Sequence, residues 1–579
     1  MTRFDPKPAP ALEGAGAYTV ERARAPIDLR LDGNEGMLPS IELLDALGPE
    51  CLELMRSYPD ASRLERRLAE RHAVDAARVV VTAGADEALD RVCRSLLTDA
   101  REILLPSPTF VMIPRYAKLA RGRIVAVPWA GGPYPLDEVL ARAGEHTAII
   151  AVVTPNNPTG ATACAQDLRR LSAAAPGALI LLDHAYAEFC DQDLTQVALE
   201  LPNALVLRTF SKALGLAGLR VGYALGPTQV IAWMRAAGGP YSVSSLSLAL
   251  TERALDSDPG PRLDFIARIR REREELRDEL EALGARAVPS QANFVCARFR
   301  DEVWVQEALG GLGIGVRRFP GAPELEGCLR ITCPGNERDF ERLLHALRSA
   351  LRPEGLLFDM DGVLADVSGS YRAAILGTAA SFGVELTPLD VTRAKLQGHA
   401  NNDWELTRSL LAERGVEAGL EQVTQRFEAL YQGSTGAEGL WRREQLLGGR
   451  ERLESLARSL PLGIVTGRPR ADAERFLERF DLGSVFATMV CLEDAAPKPD
   501  PAGVRLALER LGARRAWLVG DTPDDLAAAR AAGVVPLGFL APAERRADAD
   551  TRAAVETGLF RAGAARILED LGTLEDLLA

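Results

Sequence analysis

Short runs of apolar residues alternate with segments of helical period along most of the first 350 residues. The runs are rich in β-branched residues and each ends in a polar or glycine turn, which is typical of strands buried on both faces. Between them, residues 61–72 and 86–97 have the apolar spacing of amphipathic helices. This alternation predicts an α/β fold with a parallel sheet, in which ligands bind at the carboxyl ends of the strands. The runs are RVVVTAG (78–84), AIIAVVTP (148–155), ALILLD (178–183) and ALVLRTFS (204–211).

The pattern then changes. A long charged segment at 260–283 predicts a helix with a solvent-exposed face, and a smaller lobe with a strand at 293–299 follows it. A helical segment at 337–353 stops at its proline, and a new apolar run begins almost at once, so we place a domain boundary at 352–355. The predicted division is a flexible N-terminal arm at 1–24, a first domain at 25–352 and a second domain at 355–579.

The second domain repeats the alternation of strands and helices. Apolar runs at 355–360, 462–467 and 516–521 predict strands, and a shorter apolar segment lies at 487–492. Residues from about 370 to 450 have helical period and interrupt the alternation after the first run. The sequence therefore predicts a second parallel sheet with a helical insertion after its first strand.

Composition narrows the class of protein. A chain of 579 residues is too long for one hydrophobic core and predicts three or four structural units. The net charge of -13 argues against nucleic-acid binding through bulk charge. The eight cysteines form no CxxC pair, which indicates reduced thiols, and no apolar run has the length of a signal peptide or a membrane span. We expect a cytoplasmic protein with small-molecule substrates and neither nucleic-acid nor membrane partners.

Lys212 follows the run at 204–211, where ligands gather in a parallel sheet. A lysine that bonds covalently to a carbonyl compound must lose its proton easily, so it needs a desolvated pocket or nearby cations. Taken alone, a loop lysine is usually a surface residue. Asp183 ends another run, where its carboxylate either pairs with a protonated cofactor ring or caps a helix. Asn157 follows a third run, and its amide either bonds a cofactor or forms the turn.

Candidate phosphate-binding residues accompany this lysine. Gly84, Ala85 and Asp86 close one run and open a helix, where backbone N–H groups bind anions. Phe110 follows another run, where its ring either stacks on a ligand or belongs to the core. Further hydroxyl and guanidinium donors for the same phosphate are Thr209, Ser211 and Arg220.

Ten stretches in the first domain resemble, in order, the motifs of the fold-type I aminotransferases, which depend on pyridoxal phosphate. Within that family they resemble the histidinol-phosphate aminotransferase branch. The resemblance implies a large domain with a parallel sheet and a small α/β lobe. The stretches are LRLDGNEG, RSYPD, VTAGADEALD, SPTF, TPNNPTG, DHAYAEF, RTFSKALGLAGLRVGY, SQANFV, GVRRF and LRITCPG.

The resemblance implies roles at the matched positions. Lys212 would hold pyridoxal phosphate covalently and move a proton between substrate and coenzyme. The residues implied to contact the coenzyme ring are Asp183, Asn157, Tyr186 and Phe110. Those implied to hold its phosphate are Ala85, Asp86, Thr209, Ser211 and Arg220, together with Tyr58 of the neighbouring subunit. A site completed by a second subunit implies a homodimer.

The same resemblance implies the substrate contacts. Arg330 would bind the carboxylate of glutamate or 2-oxoglutarate, and Arg317 would bind the phosphate of a phosphorylated imidazole compound. Asn34 and Asn293 would line the substrate pocket.

Asp359 and Asp361 lie two residues apart at the end of an apolar run, where two carboxyl groups can converge on one metal ion and one phosphoryl group. Asp359 can attack phosphorus, and Asp361 can protonate the leaving oxygen. Two aspartates after a strand are also common helix caps. Further groups at run ends are Thr466 for a phosphate oxygen, Lys498 for transition-state charge, and Asp521 and Asp525 for Mg²⁺.

Four motifs, FDMDGVLAD, GIVTGRP, APKPDP and LVGDTPDDLAAARAAG, resemble in this order those of the haloacid-dehalogenase-type phosphohydrolases. The resemblance implies a Rossmann-like domain whose helical cap is the insertion at about 370–450. The polar segment 397–407 of this cap either reaches the active site or forms a solvated helix N-terminus. The carboxylates implied to bind Mg²⁺ are Asp359, Asp361, Asp521 and Asp525.

Together the two resemblances predict a bifunctional enzyme of histidine biosynthesis. It would transfer an amino group from glutamate to imidazole-acetol phosphate and then hydrolyse the resulting histidinol phosphate. The chain departs from the aminotransferase family at His184, where the family usually has Glu, and at Phe110, where it usually has Tyr. The loop after Glu35 reads GMLPS and lacks the proline that is usual in the family. Alternatives are therefore transamination or decarboxylation of another phosphorylated or aromatic amino compound, a phosphatase of unrelated substrate, or a second domain that senses phosphometabolites.

Overall fold

The apolar runs of the first part form neighbouring strands of a seven-stranded sheet in the computed structural model of the chain. Neighbours are parallel except at Gly222–Leu225, which runs antiparallel to both strands beside it. Successive aliphatic side chains point to opposite faces and enter two separate hydrophobic clusters, as Ile149 and Ile150 do. The strands in spatial order are Val79–Thr82, Gly222–Leu225, Ala204–Thr209, Leu179–Asp183, Thr147–Val153, Glu102–Ser107 and Arg123–Pro128.

The structure describes residues 7–12, 16–19, 21–45, 47–49, 51–398 and 402–578. The predicted arm at 1–24 and the polar segment 397–407 lie partly outside them. Contacts divide the chain into two compact units. Unit 1 covers the described residues within 1–21, 31–300 and 317–340, and unit 2 covers those within 22–30, 301–316 and 341–579.

Unit 1 also contains a four-stranded antiparallel sheet, which is the core of the predicted smaller lobe. Its strands in spatial order are Arg317–Arg318, Cys328–Thr332, Phe294–Arg298 and Arg286–Val288. The predicted long charged helix is Gly260–Ala282. The other α-helices of unit 1 are Glu42–Asp45, Cys51–Arg56, Ser62–His72, Gly84–Leu96, Met112–Leu119, Leu136–Leu140, Ala165–Ala174, Thr195–Leu199, Thr228–Ala237 and Ser245–Asp256.

Unit 2 is built on a six-stranded sheet in which all neighbouring strands are parallel. The predicted first strand of this part, Gly355–Phe358, lies at the centre of the sheet, so the chain after Phe358 emerges between two other strand ends. The predicted α/β class with two parallel sheets is confirmed. The strands in spatial order are Thr488–Val490, Leu462–Val465, Gly355–Phe358, Ala516–Gly520, Val535–Phe539 and Arg566–Leu568.

The insertion after the first strand is mainly helical, as predicted, but it also contains short strands. Residues 433–438 form a hairpin, because Gly433 and Gly436 adopt positive φ angles of 90° and 95° that permit the tight turn. Ala365–Asp366 pairs with Gln445–Leu446 and joins the two ends of the insertion. The helices of the insertion are Tyr371–Ser381, Pro388–Leu396, Asp403–Glu413 and Leu420–Tyr431.

The remaining helices of unit 2 cover its sheet. They are Glu302–Gly311, the residues from 341 of Glu337–Leu351, Arg450–Ser459, Arg470–Arg479, Ala502–Leu511, Pro523–Ala531, Pro542–Arg545, Ala549–Ala562 and Thr573–Leu578. Among the described helices, none is long and apolar enough to cross a membrane.

Two tryptophans explain why unit 2 includes residues before the predicted boundary at 352–355. Trp517, on a central strand, is 1% exposed, and its ring centroid lies 4.8 Å from that of Trp304. Its indole Nε1 donates a hydrogen bond of 2.7 Å to the carbonyl oxygen of Ser349. The two compact units therefore do not coincide with the two continuous segments predicted from the sequence, and the boundary at 352–355 stays a prediction.

Candidate functional sites

Lys212 lies directly beyond the carboxyl end of strand Ala204–Thr209 in unit 1. Its Nζ donates to the carbonyl oxygen of Gly33 at 3.2 Å and lies 5.5 Å from the ring centroid of Tyr186. A Cβ atom on Gly36 would lie 1.5 Å from the Lys212 carbonyl oxygen, so only glycine permits this approach of the two backbones. The backbone of residues 33–36 therefore packs directly against the loop that carries Lys212.

Asp183 ends the neighbouring strand and is buried. Burial raises the pKa of Asp183 to about 6, and the Asp86 carboxylate adds to the rise, while a hydrogen bond from the Ala185 N–H and the charge of Lys212 oppose it. A buried carboxylate with a raised pKa gains from a cationic partner, and a protonated pyridine ring is such a partner.

A cradle of donors lies at the start of helix Gly84–Leu96, where the capping residue provides no side-chain hydrogen bond to the first N–H groups. Gly84 has a φ of 75°, and a Cβ there would lie 2.6 Å from Nη2 of Arg220, which itself donates to Asp86 at 2.9 Å. The hydroxyl of Thr209 donates to that of Ser211 at 2.9 Å. Backbone N–H groups of the first helical turn, two hydroxyls and a guanidinium form a donor set that fits a phosphate.

Asn34 is fully buried and joins three parts of unit 1. Its Nδ2 donates to the hydroxyl of Tyr186 at 2.9 Å, and its Oδ1 accepts from the hydroxyl of Thr332 at 2.8 Å. The Nδ2 of Asn293 donates to the backbone oxygens of Asn34 and Glu35 at 3.3 and 3.2 Å. These two asparagines, predicted to line the substrate pocket, thus hold the loop that contacts Lys212.

Arg330 reaches the same place from strand Cys328–Thr332. Its Nη1 donates to Oδ1 of Asn157 at 2.6 Å and its Nη2 to the carbonyl oxygen of Asp32 at 2.5 Å. Burial lowers the pKa of Arg330. Nε of Arg330 and Nη1 of Arg317 are both buried, and neither makes a hydrogen bond to any described residue. Two arginines with donors of this kind fit anionic substrate groups.

Two predicted coenzyme contacts are not brought to Lys212 by any contact within the described chain. Phe110 is partly buried and packs against one of the two clusters of the large sheet. Tyr58 is 82% exposed, and its ring stacks on that of Tyr241 with centroids 4.6 Å apart.

His184, one of the departures from the family pattern, belongs to a buried structural network. Its Nε2 accepts a hydrogen bond of 3.0 Å from the N–H of Leu194 and lies 3.3 Å from Oδ1 of Asp193, while Nδ1 contacts the carbonyl oxygen of Thr154. The ring thus ties two strand ends to the following loop. This role could not be predicted from the sequence, because the fold brings the backbone groups of Thr154 and Leu194 and the carboxylate of Asp193 to the ring.

In unit 2, Lys498 lies between two carboxylates at the carboxyl ends of the parallel strands. Its Nζ is 2.5 Å from Oδ1 of Asp359 and also contacts Asp525. Burial raises the pKa of Asp359 to about 7, partly offset by the ammonium group of Lys498. Burial by itself would lower the pKa of Lys498, but Asp359 and Asp525 outweigh it and hold that pKa above its ordinary value.

Three carboxylates converge beside this lysine. Asp359, Asp521 and Asp525 each offer an oxygen within 4.8 Å of the others. Burial and the neighbouring Asp525 raise the pKa of Asp521 well above its usual range, a repulsion that a divalent cation would relieve. Hard oxygen donors in this arrangement fit Mg²⁺. Gly362 makes room for them, since a Cβ there would lie 2.1 Å from Oδ2 of Asp521.

Asp361 was predicted as a fourth metal ligand, but its carboxylate lies against the guanidinium of Arg468 and is not one of the three that converge. Nε and Nη2 of Arg468 lie 2.6 and 2.5 Å from its Oδ1. The backbone N–H of Arg468 donates a hydrogen bond of 3.2 Å to the hydroxyl of Thr466. Arg468 therefore contacts both Thr466 and Asp361, two of the predicted site residues. Arg468 was not among the predicted site residues, and the signal for it was an arginine three positions after the end of strand Leu462–Val465.

The insertion lines a cavity of about 30 Å³ beside Asp361. Asn402, Asp403 and Trp404 border it, whereas residues 399–401 of the predicted polar segment lie outside the described residues. Nζ of Lys395 is 3.7 Å from Oδ1 of Asp403, and both side chains are largely buried.

Comparisons with known proteins agree with this division of chemistry. The model of the aminotransferase class I and II family matches residues 53–347, and that of the haloacid dehalogenase-like hydrolases matches 356–538. The histidinol-phosphate aminotransferase of Chlorobium luteolum is 36% identical over 351 residues, which are 59% of this chain and 97% of that protein. That of Caldanaerobacter subterraneus is 32% identical over 350 residues, again 59% and 97%.

A third relative differs in name and in coverage. An imidazoleglycerol-phosphate dehydratase of Phytophthora nicotianae is 44% identical over 236 residues, 39% of this chain, and this chain spans only 52% of that relative. Among solved structures, the histidinol-phosphate aminotransferase of Sinorhizobium meliloti with pyridoxal-5'-phosphate has a TM-score of 0.53 at 23% identity, covering 61% of this chain and 98% of that one. The N-succinyldiaminopimelate aminotransferase of Mycobacterium tuberculosis has a TM-score of 0.50 at 21% identity, with 55% and 93% coverage. These two likenesses show the fold.

Proposed function

This chain belongs to the aminotransferase class I and II family and carries a haloacid dehalogenase-like hydrolase domain, and from that premise we propose two successive reactions. The first transfers an amino group from glutamate to imidazole-acetol phosphate and yields histidinol phosphate. The second hydrolyses a phosphate ester with Mg²⁺, and its substrate is histidinol phosphate. Both predicted resemblances are confirmed at the level of family, while substrates, metal and site roles belong to this proposal.

The observation that carries the first activity is the meeting of Lys212, Asp183 and the phosphate cradle at one edge of the large sheet. Pyridoxal phosphate, when bound, supplies an electron sink next to the amine. Asp183 would hold a proton on the ring nitrogen, and Lys212 would move a proton between substrate and coenzyme. The guanidinium of Arg330 would bind the substrate carboxylate in a bidentate manner. The names of the Chlorobium and Caldanaerobacter relatives support the choice of substrate.

In the second site Asp359 is placed to act as nucleophile. Its carboxylate oxygen would bond to phosphorus as the bond to the ester oxygen breaks, and Asp361 would give that oxygen a proton. Water would then attack the phosphorylated Asp359, with Asp361 taking the proton back and phosphate leaving. Lys498 stays protonated and would stabilise negative charge on the phosphoryl group.

Charge around the second site supports an ester whose alcohol part is cationic. Seven carboxyl groups interact there with four cationic side chains. With Asp361 protonated as the proposed acid and the metal ligands ionised, two negative charges remain in excess among the described residues. The charges of Mg²⁺ and a phosphate dianion cancel, so the negative excess remains and would attract a positively charged leaving group. Histidinol phosphate carries an amine that would meet this demand. The carboxylates are Asp359, Asp361, Asp403, Glu444, Asp521, Asp525 and Glu544, and the cations are Arg372, Lys395, Arg468 and Lys498.

Exposed apolar side chains support a homodimer formed through unit 1. Leu38 is 90% exposed, and Leu52, Met55 and Tyr58 are each more than two-thirds exposed along the following segment. A second copy that covers this surface would bury it and could bring Tyr58 to a coenzyme phosphate. Sedimentation of the purified protein tests this proposal, and a monomer at micromolar concentration would contradict it.

A time course with imidazole-acetol phosphate, glutamate and Mg²⁺ tests both activities in one tube. Wild-type protein should release free histidinol and phosphate, whereas Asp359→Asn should accumulate histidinol phosphate and Lys212→Ala should form neither. No amino transfer from glutamate by coenzyme-loaded wild type, with turnover of another phosphorylated amine, would favour the alternative substrate or a decarboxylase. Absence of phosphate release from every ester tried would favour a sensing module.

A substitution at Asp403 tests whether the excess negative charge recognises the amine of the ester. Asp403→Asn should lower kcat/KM for histidinol phosphate about tenfold, because its cationic amine loses an attractive carboxylate. For glycerol phosphate, whose alcohol part is uncharged, kcat/KM should stay within about twofold. Glu413→Gln, exposed at the end of the same helix, serves as the matched control. Equal losses for both esters would refute recognition of the amine.

A further inference from the structure

Arg468 contacts Asp361 in a way that distinguishes the two oxygens of that carboxylate. Nε donates a hydrogen bond of 2.6 Å to Oδ1, and Nη2 lies 2.5 Å from the same oxygen without hydrogen-bond geometry. Oδ2 is thereby left as the oxygen that can face a substrate. A planar guanidinium that donates one hydrogen bond to this oxygen and places a second charged nitrogen against it restricts rotation of the carboxylate about χ2 more than a flexible ammonium group would.

Arg468 is itself held from several directions. It is 1% exposed, and its Nη1 donates to Oε2 of Glu444 at 3.0 Å. The hydroxyl of Tyr431 donates to Oε1 of Glu444 at 3.1 Å. The guanidinium carbon lies 4.8 Å from the ring centroid of Tyr371. Two carboxylates and an aromatic ring thus contact one buried cation, which restricts where the guanidinium can lie.

The residues that hold Arg468 come from the insertion. Tyr371 lies on its first helix, Tyr431 ends its fourth, and Glu444 lies beside its returning strand Gln445–Leu446. Arg468 and Asp361 lie instead on loops that follow strands of the parallel sheet. The position of the Asp361 carboxylate therefore depends on how the insertion packs against these loops.

We propose that Arg468 is a positioning residue that fixes Asp361 so that Oδ2 delivers the proton to the leaving oxygen. The inference rests on the proposed phosphohydrolase activity. Misplacement of a reacting group by about 1 Å can cost on the order of 100-fold in rate, and general acid catalysis contributes about 10²–10⁴-fold. Loss of Arg468 should therefore impair the step that needs this proton and spare the step that does not.

The test uses two esters that differ in their need for a proton. An alkyl phosphate such as histidinol phosphate has a poor leaving group, whereas p-nitrophenolate leaves without protonation. In Arg468→Lys, kcat for the alkyl ester should fall about 100-fold with KM within threefold. The pre-steady-state burst of p-nitrophenolate, which reports attack by Asp359 alone, should keep its rate within threefold. Arg479→Met, an exposed arginine on the next helix, should change neither.

A second variant protects the test against misfolding, since removal of Arg468 leaves Glu444 buried without its counter-charge. The double variant Arg468→Met/Glu444→Gln removes both charges and should show the same selective loss. Equal losses in both esters and in the burst, or no loss in either, would overturn the role of Arg468. Wild-type protein that releases no phosphate from either ester would instead refute the phosphohydrolase, which separates the two failures.

Discussion

Asp183 offers a case in which one substitution should strengthen the fold and weaken the chemistry. In protein stripped of coenzyme the carboxylate is buried among aliphatic strand residues, and its pKa is raised from 3.8 to about 6. At about 1.4 kcal/mol per pKa unit, the ionised group costs about 3 kcal/mol at pH 8. Asp183→Asn removes that cost and keeps an oxygen that accepts the N–H of Ala185.

The sign of the pH dependence follows from the direction of this shift. A carboxyl group whose pKa is raised in the folded state destabilises the fold fully above pH 6, and the penalty disappears as the pH falls toward the unfolded value near 4. The advantage of Asp183→Asn should therefore be about 3 kcal/mol at pH 8 and about 1 kcal/mol at pH 4.5. For a unit of this size the larger figure raises the unfolding temperature by on the order of 6 °C.

Calorimetry of coenzyme-free protein at the two pH values measures the effect, with Asp278→Asn as an exposed control on helix Gly260–Ala282. In the same variant, transamination by coenzyme-loaded protein should fall about 10²–10³-fold, because the charge partner of the ring nitrogen is lost. A variant that is less stable than wild type at pH 8, or whose advantage is the same at both pH values, would refute the burial argument.

Three further predictions concern unit 2. Asp359→Asn should lower phosphate release at least 10³-fold while the coenzyme-dependent absorbance of unit 1 stays unchanged; release at wild-type rate would exclude Asp359 as nucleophile. Trp517→Ala should destabilise unit 2 by about 3–5 kcal/mol in urea unfolding, because it leaves a cavity beside Trp304 and removes the bond to Ser349, and a change under 1 kcal/mol would contradict the packing described. Gly362→Ala should abolish Mg²⁺-dependent phosphate release, since its Cβ would displace Asp521, and full activity would mean that this carboxylate is not needed.

Much of the backbone could be predicted from local pattern. The predicted helices 61–72 and 260–283 correspond to Ser62–His72 and Gly260–Ala282, and the predicted strand 178–183 to Leu179–Asp183. The period of apolar residues determines these elements, because each must bury one face or both. The hairpin at 433–438 was missed, since two glycines within a helical stretch do not by themselves indicate a turn.

The carboxyl ends of parallel strands meet at one edge, so Lys212, Asp183 and the phosphate-binding residues could be grouped from the sequence alone. The same reasoning grouped Asp359, Lys498, Asp521 and Asp525, which the structure does bring together. Such grouping follows from topology and needs no knowledge of side-chain directions.

The amino-acid sequence by itself determined the two α/β sheets, the strand ends that carry polar groups and the two families of chemistry. Only the tertiary structure decided which polar group pairs with which. Asp361 and Arg468 are 107 residues apart, and their contact exists because a cap glutamate and a tyrosine ring hold the arginine there. Such pairings depend on three-dimensional distance and burial, which no periodicity along the chain encodes.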